Sequence, residues 1–179
     1  DITYSPSCDN LCFVKTDGKY AIYNTEWQKV TDKYYDKLSF LNDGIVFSDN
    51  GKFGVMDFDC NIKHEAIYDK ILQFLHINKD MVVCVRNGLY GIIRTNGDTV
   101  INCIFDKLSL FSNSGRFICA KKPKCNYWGV IDLYNMKLLL DYEFEKVEFC
   151  CSNSKEQEYF LTQKDNITIL YDITGKRIC

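Results

Sequence analysis

Asn50-Gly51-Lys52-Phe53-Gly54-Val55-Met56-Asp57 is followed about ten residues later by Tyr68-Asp69-Lys70-Ile71, and both halves recur in that order along the chain. The first half returns as Asp17-Gly18-Lys19-Tyr20-Ala21-Ile22-Tyr23, as Asn87-Gly88-Leu89-Tyr90-Gly91-Ile92-Ile93, and as Asn126-Tyr127-Trp128-Gly129-Val130-Ile131-Asp132. The second half returns as Tyr35-Asp36-Lys37-Leu38, Phe105-Asp106-Lys107-Leu108 and Phe144-Glu145-Lys146-Val147. The aromatic of the first half recurs after 33, 37 and 38 residues (20 to 53, 53 to 90, 90 to 128). A degenerate fifth copy, Thr168-Ile169-Leu170-Tyr171-Asp172, places Asp172 where Asp57 and Asp132 fall. The chain is a repeat array.

Each unit reads as four short extended segments. In the second unit these are Phe53 to Asp57, Ile62 to Ile67, Asp69 to His76 and Met81 to Val85. Asp-Gly and Asn-Gly tolerate positive φ at both central positions of a type I′ turn, so 17–18, 50–51 and 87–88 predict tight hairpins. Asn96-Gly97 and Thr174-Gly175 mark a turn between first and second strands. No segment sustains apolar residues at helical spacing, whereas β-branched and aromatic residues abound. The fold class is all-β.

The ends decide the arrangement that the sequence suggests. Asp1 to Lys15 matches only the second half of a unit, with Leu11 to Lys15 aligning on Gly44 to Ser48; Ile167 to Cys179 matches only the first half. The units then run at about 18–50, 51–87, 88–126 and 127–166, with one split unit made of 1–17 plus 167–179. A linear stack would leave unpaired edges. A five-bladed β-propeller closed by pairing N- and C-terminal strands removes them; an open β-repeat array is the alternative. A single domain of 179 residues is long enough to bury a core in either form.

Trp128-Gly129-Val130-Ile131-Asp132, with the Asn-Gly-Lys-aromatic-Gly pattern of 50–54, resembles the bacterial WG (KWG) repeat, from Leu11 to Ile178. Only one unit keeps the Trp, which Tyr20, Phe53 and Tyr90 replace elsewhere, and Ala21 and Ile169 stand where Gly is expected. The resemblance implies an interaction or binding repeat with no general catalytic motif, and so no active residues to carry over.

A net charge of -2 provides no basic face for nucleic acid or for an anionic membrane surface. No apolar run nears the roughly 20 residues that span a bilayer. His64 and His76 have no Ser or Cys context of a nucleophile, and the glycines are isolated turn residues rather than a phosphate loop. No catalytic residue, metal ligand or cofactor is expected. The chain starts at Asp without a signal-peptide pattern, which fits an excised domain or a mature product. Ten cysteines contain no Cys-x-x-Cys pair; Cys12 and Cys84 fall at apolar strand positions. Free thiols and a cytoplasmic location are expected, with a secreted or excised domain as the alternative. Asn166-Ile167-Thr168 also fits a glycosylation sequon.

Two groups of residues are candidates for contact with a partner. Asp36, Asp69, Asp106 and Glu145 recur in every unit, either bonding backbone amides or forming a ring of carboxylates. Lys121, Lys122 and Lys124 surround Pro123 in a loop, and Cys150 to Glu158 is the longest loop. The expected ligand is a protein partner. A glycan held against an aromatic such as Trp27 is the second reading, and a hydrolase the third.

Overall fold

The computed structural model describes residues 2–4, 10–73, 80–110, 115–151 and 158–179. Among them run eighteen strands in five antiparallel sheets and no helix. The first sheet is β1 (Ile2–Tyr4), β2 (Leu11–Thr16) and β3 (Lys19–Asn24). The second is β4 (Lys37–Leu41), β5 (Gly44–Asp49), β6 (Lys52–Met56) and β7 (Ile62–Tyr68). The third is β8 (Lys70–Leu72), β9 (Met81–Arg86), β10 (Leu89–Arg94) and β11 (Thr99–Phe105). The fourth is β12 (Lys107–Leu110), β13 (Phe117–Lys121), β14 (Trp128–Asp132) and β15 (Lys137–Phe144), and the fifth is β16 (Lys146–Cys151), β17 (Glu158–Lys164) and β18 (Ile167–Asp172). Each full sheet is an up-and-down meander in chain order, the unit from which propellers are built.

The hairpins form where the sequence predicts them. Asp17 and Gly18, Asn50 and Gly51, and Asn87 and Gly88 all have positive φ, as a type I′ turn requires. A fourth such turn closes β17 onto β18 with Asp165 and Asn166, at φ 49° and 62°; Asn and Asp are the residues besides Gly that reach this region most readily. Asn166 is therefore a hairpin residue. Gly97 and Gly175, at φ +110° and +83°, turn the first strand into the second as expected.

The sequence-drawn unit boundaries are out of phase with the sheets. The I′ turn joins the two inner strands of a sheet, whereas the chain passes from one sheet to the next at Asp36, Asp69, Asp106 and Glu145. The expected sheet shared by the two termini is not among the ladders of the described residues. β1 and β2 pair onward with β3, whose outer edge is completed by the bridges Tyr20–Tyr35 and Tyr23–Lys29. β18 pairs back with β17 and carries the bridge Tyr171–Arg177 on its other side. Each terminal half is completed by irregular backbone beside it, because an antiparallel edge accepts isolated bridges where no regular strand is available. The third segment of the second unit, expected to reach His76, ends as a strand at Leu72; His76 lies outside the described residues.

By internal contacts the chain divides into two units, residues 1–75 with 79–103, and residues 76–78 with 104–179. In the first, Leu11, Phe13, Ile22, Tyr35, Ile45, Phe47 and Met56 form one apolar cluster, and Leu41, Val46, Val55, Tyr68, Val82, Cys84 and Ile93 a second. In the other unit the cluster is Phe117, Cys119, Val130, Leu140, Phe144, Val147 and Phe160. Burying each such side chain contributes roughly 1.5–3 kcal/mol. The Tyr-Asp motif contributes Tyr35, Tyr68, Phe105 and Phe144, at most 7% exposed, and the inner strands contribute Phe13, Phe47, Phe117 and Phe160, at most 1% exposed. Tyr20, Phe53 and Trp128, the aromatics of the first half of the repeat, are half-buried against the core clusters. The glycines that follow Phe53 and Trp128 lie close against neighbouring atoms. A Cβ on Gly54 would lie 2.5 Å from the His64 carbonyl oxygen and from the Phe47 ring, so no side chain fits there.

Candidate binding surface

The repeated acids differ in what they hold. Each donates its own backbone N–H to the strand that follows: Asp36 to Ser48, Asp69 to Val85, Asp106 to Lys121 and Glu145 to Gln163, at 2.7–2.9 Å. The Asp36 carboxylate also takes Lys19 Nζ from the turn of the preceding sheet and the Gly51 amide, at 3.4 Å, from the turn of its own. Asp69 repeats this with Lys52 and the Gly88 amide, again at 3.4 Å. One carboxylate thus stitches two consecutive turns. The ammonium group, and then the turn amide, hold both carboxyls below their usual range. Leu89 and Tyr127 occupy the positions of Lys19 and Lys52 in the later copies. Among the described residues no ion pair holds Asp106 or Glu145, and both side chains are exposed.

A second recurring device follows the aromatic-Gly strand. Asn24 accepts the amides of Glu26 and Gln28, Asp57 that of Asn61, Asp132 those of Tyr134 and Asn135, and Asp172 those of Thr174 and Lys176. These side chains close the turn by substituting for a backbone acceptor. Asp132 is the most enclosed. Burial alone would raise its carboxyl, but Arg116 Nη2 at 2.8 Å, Asn135 Nδ2 at 2.7 Å and the two amides bring it down to about 2. Arg94 stands at this position in the third sheet and pairs instead with Asp80.

The basic loop joins β13 to β14. The four other inner hairpins close with two residues, whereas this one spans 122–127. Lys121 ends β13 half-buried, its Nζ 5.7 Å from the Trp128 ring centroid. Lys122 Nζ lies 4.3 Å from the Tyr142 ring centroid. Lys124 sits at φ 62°, beside a turn in which the Cys125 amide donates to the Lys122 carbonyl at 3.1 Å. Lys122, Lys124 and Tyr127 are exposed. Lys122 and Lys124 thus share one loop, Lys121 ends the strand that leads into it, and Tyr127 is the aromatic that sequence reasoning left out. Of the loop from Cys150 to Glu158, residues 152–157 lie outside the described residues.

Trp27, the aromatic considered for a glycan, is 57% exposed at φ 61°, in the turn position that Gly97 and Gly175 fill elsewhere. With Tyr4, Leu11, Cys12, Asn24 and Thr25 it lines a cleft of about 190 Å3. The Asn24 carbonyl oxygen is already committed to the turn amides. No equivalent aromatic repeats in the other turns, where Cys60, Gly97, Met136 and Gly175 stand.

His64, buried in β7, donates Nε2–H to the Arg94 carbonyl at 2.9 Å. A group bonded to backbone in this way fixes packing. Cys12, Cys60, Cys84, Cys103, Cys119, Cys125, Cys150 and Cys179 are free thiols, with Cys12, Cys84 and Cys119 buried at the positions of small hydrophobes. Among the described residues no group of three acids, histidines or cysteines could hold a metal ion, and no helix is long and apolar enough to cross a membrane.

None of the curated proteins matches the chain. Its fold is similar to that of Kluyveromyces lactis Hsv2, with 16% identity over 96% of this chain and 61% of that one at a TM-score of 0.42. Similarity also extends to the WD40 domain of Neurospora crassa Pan2, with 12% identity over 94% of this chain and 61% of that one at 0.38. A eukaryotic initiation factor shares 13% identity over 100% of this chain and 54% of that one at 0.46. The chain thus spans between 54% and 61% of the length of these three. A repeating all-β scaffold with loops of unequal length suggests a binding or interaction module. Residues 90–122, about one repeat of the chain, match the family model described as WG containing repeat.

Proposed function

We propose that this protein is a non-enzymatic binding module that presents the β13–β14 loop to a protein partner. The observation that carries the reading is the contrast in hairpin length. Four inner hairpins are as short as an antiparallel pair allows, and the fifth is extended and displays Lys122, Lys124 and Tyr127. A rigid ladder on both sides lowers the entropy lost when the loop is ordered by a ligand. Two exposed ammonium groups and an exposed aromatic ring on one loop favour an acidic segment, with Tyr127 supplying contact area at little rotamer cost. Asp36 and Asp69 take no part, since their carboxylates are occupied within the scaffold. Asp106 and Glu145 are exposed and belong to the candidate surface only as secondary contacts.

The test compares the parent chain with the triple variant Lys122→Glu, Lys124→Glu, Tyr127→Ala in affinity capture from its native host. Expected is a captured protein that the variant loses while its thermal unfolding is unchanged. Equal capture by both proteins would remove this loop from the function. Binding on a glycan array that Trp27→Ala abolishes, with no protein captured, would replace the reading by carbohydrate recognition at the Tyr4–Trp27 cleft.

A further inference from the structure

The space above the repeat glycines is filled differently in successive sheets. Each glycine on the aromatic-Gly strand faces one residue across the inner hairpin: Gly54 faces Phe47, Gly91 faces Cys84 and Gly129 faces Ala120. A second residue stands on the outer strand, two positions before the motif aromatic: Ala66, Cys103 and Tyr142. In the second sheet the Phe47 ring lies on Gly54, and in the fourth the Tyr142 ring lies on Gly129. The pairings are therefore large with small, and small with large. The third sheet has two cysteines and no ring. There the backbone of β11 folds over Gly91, with the Ile101 oxygen and Cys103 nitrogen 2.6 and 2.8 Å from where a Cβ would stand. This brings Cys103 Sγ to 3.4 Å from Cys84 Sγ, although β10 lies between their strands. A cavity of about 530 Å3 opens beside them, lined by both thiols together with His64, Tyr68 and Arg86.

We propose that Cys84 and Cys103 form a redox-active dithiol that a small-molecule disulfide, such as oxidised glutathione, converts to an intrasheet disulfide through the cavity. Burial, and then the neighbouring Cys103, keep the Cys84 thiol protonated far above the usual range, so the first attack falls to Cys103, which is only partly buried. Its thiolate attacks one sulfur of the small disulfide, whose S–S bond breaks; one glutathione leaves as thiolate and takes up the proton Cys103 released. Cys84 then loses its proton and attacks Cys103 Sγ, the mixed disulfide breaks, and the second glutathione leaves with that proton. Two protein thiols are oxidised and one disulfide is reduced to two thiols. Enforced proximity offsets the small thiolate fraction of Cys84. Rotation about χ1 brings the sulfurs from contact to bonding distance, about 2.05 Å.

The experiment equilibrates the reduced full-length chain with oxidised glutathione, blocks remaining thiols with a maleimide under denaturing conditions, and maps the digest by mass spectrometry. The expected result is a linked peptide pair containing Cys84 and Cys103, lighter by two hydrogens, with Cys119 recovered as a blocked thiol. Cys84→Ala should stall the reaction as a glutathione adduct on Cys103, and Cys103→Ala should lose both adduct and link. Recovery of Cys84 and Cys103 as thiols while exposed Cys179 is oxidised would overturn the proposal, and so would an unmodified Cys103 in Cys84→Ala. The parent digest decides alone should either variant fail to fold.

Discussion

The second and third sheets are built on one ladder and differ in how they are filled. In the second, Gly54 lies under the Phe47 ring and the turn lysine Lys52 reaches Asp69. In the third, Gly91 lies under the backbone of β11, Cys84 replaces the ring, and Leu89 replaces the lysine. Backbone geometry survives both exchanges, as the matching turn angles show: φ is 51° and 77° at Asn50 and Gly51, and 53° and 77° at Asn87 and Gly88. The glycine and the I′ turn therefore specify the ladder, while the residues facing the glycine decide whether the interior is closed or hollow. A closed site is a packing device. A hollow one is accessible to chemistry.

The largest effect that separates the two sheets should come from Phe47→Ala. The ring is 1% exposed, and its removal opens a void above Gly54, so urea unfolding should show a loss of about 3–5 kcal/mol. A loss near that of an exposed residue would mean that the ring is not what closes the second sheet. Next come Gly54→Ala and Gly91→Ala, each expected to cost about 1–3 kcal/mol through forced displacement. Their coupling to the facing residue sharpens the contrast. Part of the Gly54→Ala loss should vanish in a Phe47→Ala background, because one of its two closest contacts, both at 2.5 Å, is the ring. The Gly91→Ala loss should persist in a Cys84→Ala background, where the obstacles are backbone atoms. Equal coupling at both glycines would contradict the difference in filling.

The ladder was legible in the sequence for a physical reason. Positive φ at two successive residues is nearly restricted to Gly, Asn and Asp, so three of the hairpins announce themselves. Asp165-Asn166 escaped only because it lacks the glycine. The phase of the sheets was not legible, because a repeat discloses its period and not its origin. The outer edges of the terminal sheets are made by Lys29, Tyr35 and Arg177 in stretches without strand alternation. The acid stitch was half legible: Asp36 and Asp69 read as backbone-bonded, but their lysines lie 17 residues earlier in each case. A fixed offset repeated twice is a signal that comparing Lys19 with Lys52 exposes. The thiol pair was hidden more deeply. Cys84 and Cys103 are two strands apart, and only the collapse of β11 onto Gly91 brings them together. Aligning Phe47, Cys84 and Ala120 against Ala66, Cys103 and Tyr142 shows the exchange of volume that leaves the third sheet hollow.

Cys84→Ala tests that hollowness from the other side. Its sulfur borders an existing cavity, so its removal should cost about 1 kcal/mol, well below the Phe47 value. A loss as large as that of Phe47→Ala would show that the third sheet is as tightly closed as the second.

The smallest expected effect concerns the lysine that the third sheet lacks. Lys52 holds the Asp69 carboxyl below its ordinary range. A carboxyl lowered on folding contributes stability that is fully present above its unfolded pKa and is lost as pH falls through the folded value. Lys52→Met should therefore raise the Asp69 titration midpoint, read by NMR. It should also flatten the acid side of the stability profile while leaving the glycine site of the second sheet intact. The gap between parent and variant should be constant at neutral pH and close in strong acid, where Asp69 is protonated in both. A gap that persists there would assign the stabilisation to the aliphatic stem of Lys52 lying on the sheet rather than to its charge. The leucine at position 89 would then preserve what the lysine contributes, and the two sheets would differ at their glycines alone.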